Sequence, residues 1–259
     1  MNANKNYFTL IVMLIALVQC KSHERLLTKS DPTLVIDSGM SEHQYEGNSS
    51  NELLRVEISN KVKSVPRWAF AIVPSLEEVK LNSSVKTIDD NAFFSCKKLS
   101  KINLNNVAVI GENCFKFSAI EDVNLTSAQV IKEFAFSNCL KLRKIKFSNN
   151  LKAIGEFAFS GDLALVNCHI PSGVIGASAF MGCSKMEQIS FGKVVSIGNA
   201  AFLDCTSLTS VIIPSTMKEI GNEAFSGCVN LKEVIVNNHD TKIADNAFPK
   251  DVVITYKNR

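Results

Sequence analysis

The fold is decided by the stretch Ile197-Gly198-Asn199-Ala200-Ala201-Phe202-Leu203-Asp204-Cys205-Thr206-Ser207-Leu208-Thr209-Ser210-Val211-Ile212-Ile213-Pro214. Its skeleton, Ile-Gly-x-x-Ala-Phe-x-x-Cys-x-x-Leu-x-x-Val-x-Ile, returns at residues 220–236 and, with substitutions, at 154–170 and 175–191. A skeleton that recurs along a chain is typical of a protein built from repeats that pack on one another.

One phenylalanine marks each repeat, and successive members of this row are 21 to 23 residues apart. An apolar, β-branched residue stands five positions before each of them, as Ile197 does before Phe202. The row consists of Phe70, Phe93, Phe115, Phe136, Phe159, Phe180, Phe202, Phe225 and Phe248. Each repeat is too short to bury its own apolar side, so the row predicts a core formed by stacking about nine coils.

Two periods alternate within each repeat. The segment Ala-Phe-x-x-Cys-x-x-Leu places apolar residues three apart, which predicts a short helix or 3₁₀ turn. The following segment, with residues such as Val211 and Ile213, has period two and predicts a short strand. Gly198 and its equivalents predict a tight turn in which a side chain would be costly.

These residues resemble the leucine-rich repeats of the BspA-like or Treponema pallidum type, whose pattern is close to L-x-x-I-x-L-P-x-x-V-x-x-I-G-x-x-A-F-x-x-C. The match covers about residues 53–255, and residues 208–228 fit it almost throughout. Departures stand at Met217, Asp89, Lys132 and Ala244. The resemblance implies an α/β leucine-rich-repeat solenoid, a β-rich right-handed superhelix with short strands on one face and short helical or 3₁₀ turns on the other.

The first 20 residues are predicted to be a signal peptide, because Lys5 precedes an apolar run over 8–18 and a polar segment follows. A lipid anchor at Cys20 is an alternative, although Gln19 stands where such anchors need a small residue. An uncleaved membrane anchor is a third possibility.

The remaining chain divides into three parts. Residues 21–52 are predicted to be a flexible polar leader, 53–255 a solenoid of about nine coils including terminal caps, and 256–259 a polar tail. No second apolar run follows the first, so the mature chain is expected to lack a membrane span. We therefore expect a secreted or extracellular protein, and cell-surface association stays open.

The charge balance argues against a nucleic-acid-binding protein, and the cysteines argue against a disulfide-stabilised scaffold. With 28 basic and 25 acidic residues the formal net charge is only +3, so nucleic acid is not an expected partner. Removal of Cys20 would leave seven of eight cysteines, an odd number for a disulfide framework. Five of them share the position three after the phenylalanine, Cys96, Cys139, Cys183, Cys205 and Cys228. This row predicts buried thiols, and a Cys183–Cys205 or Cys205–Cys228 bridge stays possible.

No catalytic, cofactor-binding or metal site is predicted. Cys168 and His169 are adjacent, but in a strand their side chains point to opposite faces. A solenoid carbohydrate-active enzyme would need acidic residues grouped on one outward face. Glu78, Asp122 and Glu233 are too scattered for that.

The outward strand positions form the candidate binding surface, because the core does not need their side chains. Ile212 and Ile235, on neighbouring strands, are expected to be exposed. The candidate partner-binding strand face comprises Lys144, Lys146, His169, Gln188, Ser190, Ser210, Ile212, Glu233 and Ile235. Ordinary variation of a surface is the alternative explanation for this set.

Two further surface features concern glycans. Lys97, Lys98 and Lys101, and also Lys141, Arg143, Lys144 and Lys146, form basic clusters that could meet anionic glycans or could simply be solvated. Three sequons, at Asn48, Asn82 and Asn124, are possible N-glycosylation sites in a eukaryotic source. A glycan on Asn124 would obstruct the N-terminal part of the strand face.

The resemblance implies a secreted or surface protein associated with adhesion or host contact. We expect a binding protein and not an enzyme, with a protein or glycan ligand on a host or matrix surface. A soluble inhibitor or decoy receptor is an alternative within the binding class. The carbohydrate-active enzyme is the alternative outside it, and the sequence leaves the oligomeric state open.

Overall fold

A computed structural model describes residues 33–36 and 53–257, which form a parallel β-solenoid of about nine coils. The predicted repeat solenoid of about nine coils is therefore confirmed. The predicted signal peptide (residues 1–20) and the sequon at Asn48 lie outside the described residues.

Every coil is built from strands of two to ten residues. The first nine are β1 (Thr33–Ile36), β2 (Arg55–Ile58), β3 (Ser64–Val65), β4 (Glu78–Lys80), β5 (Thr87–Ile88), β6 (Lys101–Ile102), β7 (Val109–Ile110), β8 (Asp122–Leu125) and β9 (Val130–Ile131). The others are β10 (Lys144–Phe147), β11 (Ala153–Ile154), β12 (Asn167–Ile175), β13 (Gln188–Ile197), β14 (Ser210–Ile213), β15 (Glu219–Ile220), β16 (Glu233–Val236), β17 (Lys242–Ile243) and β18 (Val253–Tyr256).

The strands form two rows, and every pairing within them is parallel. The second strands of the coils make one nine-stranded sheet in the order β17-β15-β13-β12-β11-β9-β7-β5-β3. The first strands make the front row, which is divided into the sheets β1-β2-β4-β6, β8-β10 and β14-β16-β18. Strands β12 and β13 are long enough to belong to both rows. The outward side of the front row is the predicted strand face.

The core is a continuous stack of phenylalanine rings. Neighbouring rings from Phe70 to Phe248 have centroids 5.0 to 5.4 Å apart and nearly parallel planes. Eight of the nine rings are fully buried, and the last, Phe248, is half-buried at the end of the stack. Stacked rings at this distance attract one another in addition to the gain from burying them. The predicted register is confirmed.

The expected helical turns are not found: no residue within 33–36 and 53–257 is helical, so the α/β description of the fold is not confirmed. The Ala-Phe segment is instead a series of turns in which left-handed residues alternate with right-handed ones. Trp68 and Ile72, two positions before and after Phe70, have φ of 59° and 58°. The same two positions are left-handed in every coil from Phe70 to Phe225.

This alternation redirects the backbone N–H groups that a helix would use. Phe70 donates its N–H to the carbonyl oxygen of Ala92 in the next coil (2.8 Å), and Trp68 donates to Asp90 (3.2 Å). Only the residues between them bond locally, as Ala69 does to Pro66 (3.3 Å). The turns are therefore a second ladder of bonds between coils, and they cannot extend into a helix.

The repeated glycine has a different role from the one predicted. Gly155, Gly176 and Gly198 do not have a positive φ, so no turn requires them. A Cβ on Gly155 would lie 2.6 Å from the backbone nitrogen of Glu133, and one on Gly198 would lie 2.6 Å from that of Ala177. The glycine is needed because two coils approach closely there.

The leader predicted for residues 21–52 is not entirely flexible. Within it, strand β1 pairs with β2, and Leu34 and Ile36 are each only 5% exposed. Their period-two spacing lets both side chains cover the first coil. The polar tail predicted for 256–259 also begins later than expected, because Tyr256 still belongs to β18.

We expect Phe202→Ala to lower the free energy of unfolding by about 3–5 kcal/mol. Phe202 is fully buried and stacks on both Phe180 and Phe225. Urea unfolding followed by circular dichroism measures the loss. Leu203→Ala, at the half-buried neighbouring position, is the control and should cost less. An unchanged midpoint for Phe202→Ala would contradict the stack.

Candidate functional site

The predicted strand-face residues lie together on the front row. Eight of them are exposed and Ile235 is half-buried. Strand pairing places His169 opposite Ser190, Ser210 opposite Glu233, and Ile212 opposite Ile235. The set therefore forms one continuous surface from β10 to β16.

A hollow of about 830 Å³ opens on this surface across β10, β12, β13 and β14. Six of the nine predicted residues line it, namely Lys144, His169, Gln188, Ser190, Ser210 and Ile212. Lys146, Glu233 and Ile235 lie outside its lining. We call this feature the strand-face hollow.

The hollow lies where the hydrogen-bond ladder of the front row is interrupted. In several other coils the residue before the front strand donates its N–H to the preceding coil, as Arg143 does to Glu121 (2.7 Å) and Lys232 to Thr209 (3.0 Å). The front row is also interrupted between β6 and β8, where the hollow does not extend. Strands β10 and β12 are not paired, and neither are β13 and β14. Within residues 53–257, Val166 and Thr209 accordingly donate no N–H to a backbone carbonyl, and both line the hollow.

The hollow carries one positive charge, that of Lys144, which no carboxylate of its lining balances. Arg143 and Lys144 line it, and no aspartate or glutamate does. Arg143 is held by Glu121, with 2.5 Å between Nη2 and Oε2. Lys144 forms no ion pair with any residue that the structure describes.

Neutral polar residues provide half of the remaining lining. His169 Nδ1 and Ser190 Oγ are 2.8 Å apart and form a hydrogen bond. Asn167 and Gln188 contribute amides on paired strands. Asn237 also lines the hollow, and its buried Oδ1 has no hydrogen-bond partner among the described residues.

Cys168 and His169 are arranged as predicted, on opposite faces of β12. The Cys168 thiol is buried, and burial raises its pKa. The His169 side chain is exposed on the strand face. A neutral thiol that faces away from the imidazole is not an activated nucleophile.

The cysteine row is a ladder of free thiols. All seven described cysteines are unpaired, so the Cys183–Cys205 and Cys205–Cys228 bridges are not formed. Each thiol in the row bonds to the carbonyl oxygen of the buried phenylalanine in the preceding coil, for example Cys205 Sγ to Phe180 (3.3 Å). Burial raises the pKa of Cys228 to about 12, which keeps this thiol neutral at physiological pH.

Asp162 occupies the cysteine position in its own coil. The residue is 0% exposed. Its Oδ1 accepts a hydrogen bond from the Cys139 N–H (2.8 Å), and its Oδ2 has no hydrogen-bond partner among the described residues. Burial raises the pKa of this carboxyl well above its usual range. Sequence reasoning missed Asp162, although an acidic residue in a row of cysteines is a visible signal.

A row of half-buried aromatic rings on the turn side was also missed. Trp68 and Phe94 have ring centroids 6.1 Å apart, and Phe134 and Phe157 stack at 4.8 Å. The Lys116 ammonium lies 4.4 Å from the Phe134 centroid. These contacts join successive coils, so the row adds to the stacking of the solenoid. The recurring Phe-Ala-Phe of two coils was the available signal.

The sequons differ in what their side chains do. Asn82 Nδ2 donates to the carbonyl oxygens of Ile58 (3.0 Å) and Ser59. A glycan would be attached to that same nitrogen, so glycosylation of Asn82 would have to give up these bonds. Asn124 is half-buried at the strand face, and its Oδ1 accepts the Thr126 N–H (3.3 Å).

The described residues contain neither a cluster of metal ligands nor a helix that could cross a membrane. Among residues 33–36 and 53–257, no three histidine, cysteine, aspartate or glutamate side chains come together as metal ligands. The same residues contain no helix of the length and apolarity that a membrane crossing needs.

A protein-family model described as a BspA type leucine rich repeat region matches residues 43–162, 109–202 and 129–255. No curated protein shows significant similarity to the sequence. A solved leucine-rich repeat protein from Bacteroides ovatus superposes with a TM-score of 0.61 and 22% identity, over 92% of this chain and 71% of that one. This likeness confirms the fold.

Two other solved structures align less well. A leucine rich cell surface protein from Faecalibacterium prausnitzii has a TM-score of 0.41 and 18% identity, over 92% of this chain and 96% of that one. The Treponema pallidum leucine-rich repeat protein has a TM-score of 0.39 and 23% identity, over 88% of each chain.

We expect a thiol reagent to modify none of the seven described cysteines in the native chain, because all are buried. A chain that begins at residue 21 should then show seven reactive thiols after denaturation without reductant. Absorbance of the released aromatic thiolate gives both counts. A count below seven in the denatured chain would reveal a bridge.

We expect Asp162→Asn to raise the free energy of unfolding at neutral pH, because a neutral amide does not undergo the ionisation that the carboxyl undergoes on unfolding. The gain is about 1.4 kcal/mol for each pH unit above about 3.9, up to the raised pKa. Because the folded pKa is raised above about 3.9, the folded chain retains a proton that the unfolded chain releases. The stability of the parent chain therefore falls as pH rises from about 4 towards the raised pKa.

Urea unfolding at pH 4 and pH 8 tests this pH dependence. The Asp162→Asn variant should gain stability over the parent chain at pH 8 and little at pH 4. Asp204→Asn, which alters an exposed carboxyl, is the control. Equal pH slopes for Asp162→Asn and the parent chain would contradict the assignment.

Proposed function

We propose that this chain, which belongs to the BspA-type leucine-rich repeat family, binds a protein or glycan ligand through its strand face. We further propose that it acts outside the cell, secreted or at a cell surface, in adhesion or host contact. The family relationship supports a binding role, since a solenoid presents one extended surface and places its function in the outward side chains.

The strand-face hollow is the observation that carries the proposal. The inward residues of β12 to β14, such as Ile170 and Val211, are used by the core. The core does not need the outward residues of these strands, and several of them line the strand-face hollow. A recess with a few convergent polar groups is where a ligand is expected on an otherwise regular surface.

An apolar area next to the hollow supports a macromolecular ligand. Ile212 is 53% exposed and pairs in register with Ile235 on β16. Neither side chain is required by the core. An exposed and a half-buried isoleucine side by side on adjacent strands favour an interaction site over a plain solvated face.

The arrangement gives no support to a glycoside hydrolase. Glu78 pairs with Arg55 (3.4 Å) on the first sheet of the front row. Asp122 lies on β8 and Glu233 on β16, and none of the three acidic residues lines the hollow. Glycosidase carboxyl groups must lie within about 10 Å of each other across the bond that they cleave.

The test measures binding of a chain that begins at residue 21 to purified matrix proteins and glycans on a surface. The double variant Ile212→Asp/Ile235→Asp should lose at least tenfold in affinity for any ligand found. Val229→Asp is the matched control, because Val229 is 66% exposed on a turn away from the front row. Equal capture by all three chains would exclude the strand face.

The alternative role as a soluble inhibitor or decoy receptor uses the same surface. It predicts that the chain competes with a host receptor for the captured ligand and does not attach cells. A cell-attachment assay on immobilised chain distinguishes the two roles.

A further inference from the structure

We propose that the strand-face hollow binds an anionic saccharide, a sugar unit that carries a carboxylate or a sulfate. The inference rests on the proposed binding function of the strand face and specifies the class of ligand for its central recess. It follows from the backbone groups, the neutral side chains and the charges that line the hollow.

The interrupted ladder supplies hydrogen-bonding groups of the main chain. Val166 and Thr209 stand at the position whose N–H bonds to the preceding coil before β10, β13 and β16, and among the described residues neither makes that bond. Both residues line the hollow on its two sides, one at each interruption. Backbone polar groups require partners, so these two donors favour a ligand rich in acceptor oxygens.

The neutral side chains match the hydroxyl groups of a sugar ring. Amides of Asn167 and Gln188 and the hydroxyl of Ser210 can each donate and accept. The Ser190 hydroxyl is oriented by its 2.8 Å bond to His169. Groups that both donate and accept hydrogen bonds bind a polyol better than they bind an apolar peptide side chain.

Apolar residues complete the lining. Ile212 and Pro214 belong to it, beside the partly buried ring of Phe191. A sugar ring has an apolar C–H side as well as hydroxyl groups, so a wall that combines both kinds of residue suits it. A free inorganic anion would make no use of these residues.

The charge of the hollow selects an anionic sugar over a neutral one. Lys144 is a cation without an ion pair among the described residues, and Arg143 lies beside it. No carboxylate of the lining opposes them. An acidic group on the sugar would gain a charge-assisted hydrogen bond to Lys144.

The test titrates a chain that begins at residue 21 with four probes in a calorimeter. They are a heparin tetrasaccharide, a galacturonate tetrasaccharide, maltotetraose and inorganic sulfate. We expect measurable binding of at least one acidic tetrasaccharide, and affinity at least tenfold weaker for maltotetraose and for sulfate.

Charge reversals locate the site. Lys144→Glu should reduce the affinity for the acidic tetrasaccharide at least tenfold. Lys101→Glu, an exposed strand-face residue of β6 outside the hollow, should change it less than twofold. Gln188→Ala should weaken saccharide binding severalfold. Unfolding midpoints check that each variant is folded.

Several outcomes would overturn the inference. Equal losses for Lys144→Glu and Lys101→Glu would mean diffuse charge attraction, and equal affinity for sulfate and tetrasaccharide would mean a simple anion site. Binding of maltotetraose alone would mean a neutral glycan. If no saccharide binds while Ile212→Asp/Ile235→Asp still abolishes capture of a protein, the ligand class is wrong and the proposed function stands. If that variant also has no effect, both fail.

Discussion

Every part of this structure depends on one constraint, which is that no coil can satisfy its backbone or bury its rings by itself. The Phe202 ring lies between Phe180 and Phe225, and its N–H donates to the next coil, 2.7 Å from the Ala224 oxygen. In both the strands and the turns, backbone groups form hydrogen bonds with neighbouring coils. Stability therefore lies between repeats, and the outward strand positions are where side chains can change without disturbing a neighbour.

The repeat register could be predicted from the sequence because the core residue of each coil is the same large ring at nearly the same spacing. The conformation of the turns could not. Apolar residues three apart fit a helix as well as they fit a chain of turns. Left-handed residues decide between the two, and here they include Trp68 and Phe134. Left-handed positions are usually predicted from a glycine or an asparagine in the sequence, so they are not predicted where a bulky aromatic residue occupies them.

The candidate site was predictable to the same partial extent. Period two assigns alternate strand residues to one face, and this placed Lys144, His169 and Ile212 outward. The hollow lies at two of the three places where neighbouring strands of the front row are not paired. Lys146 and Ile235 fit the same pattern as Lys144 and Ile212, yet they lie outside the lining. The position of an interruption is a property of neighbouring coils together, and no single repeat encodes it.

The thiol ladder has a consequence for how the chain survives outside a reducing compartment. Because each thiol is enclosed by the stack, Cys183 and Cys205 persist side by side as free cysteines only while the coils stay closed. An opening event in an oxidising medium would expose several of them at once, and a bridge formed then between coils that are not neighbours would prevent the coils from restacking. The lifetime of the protein there is set by how rarely it opens, so its durability is kinetic.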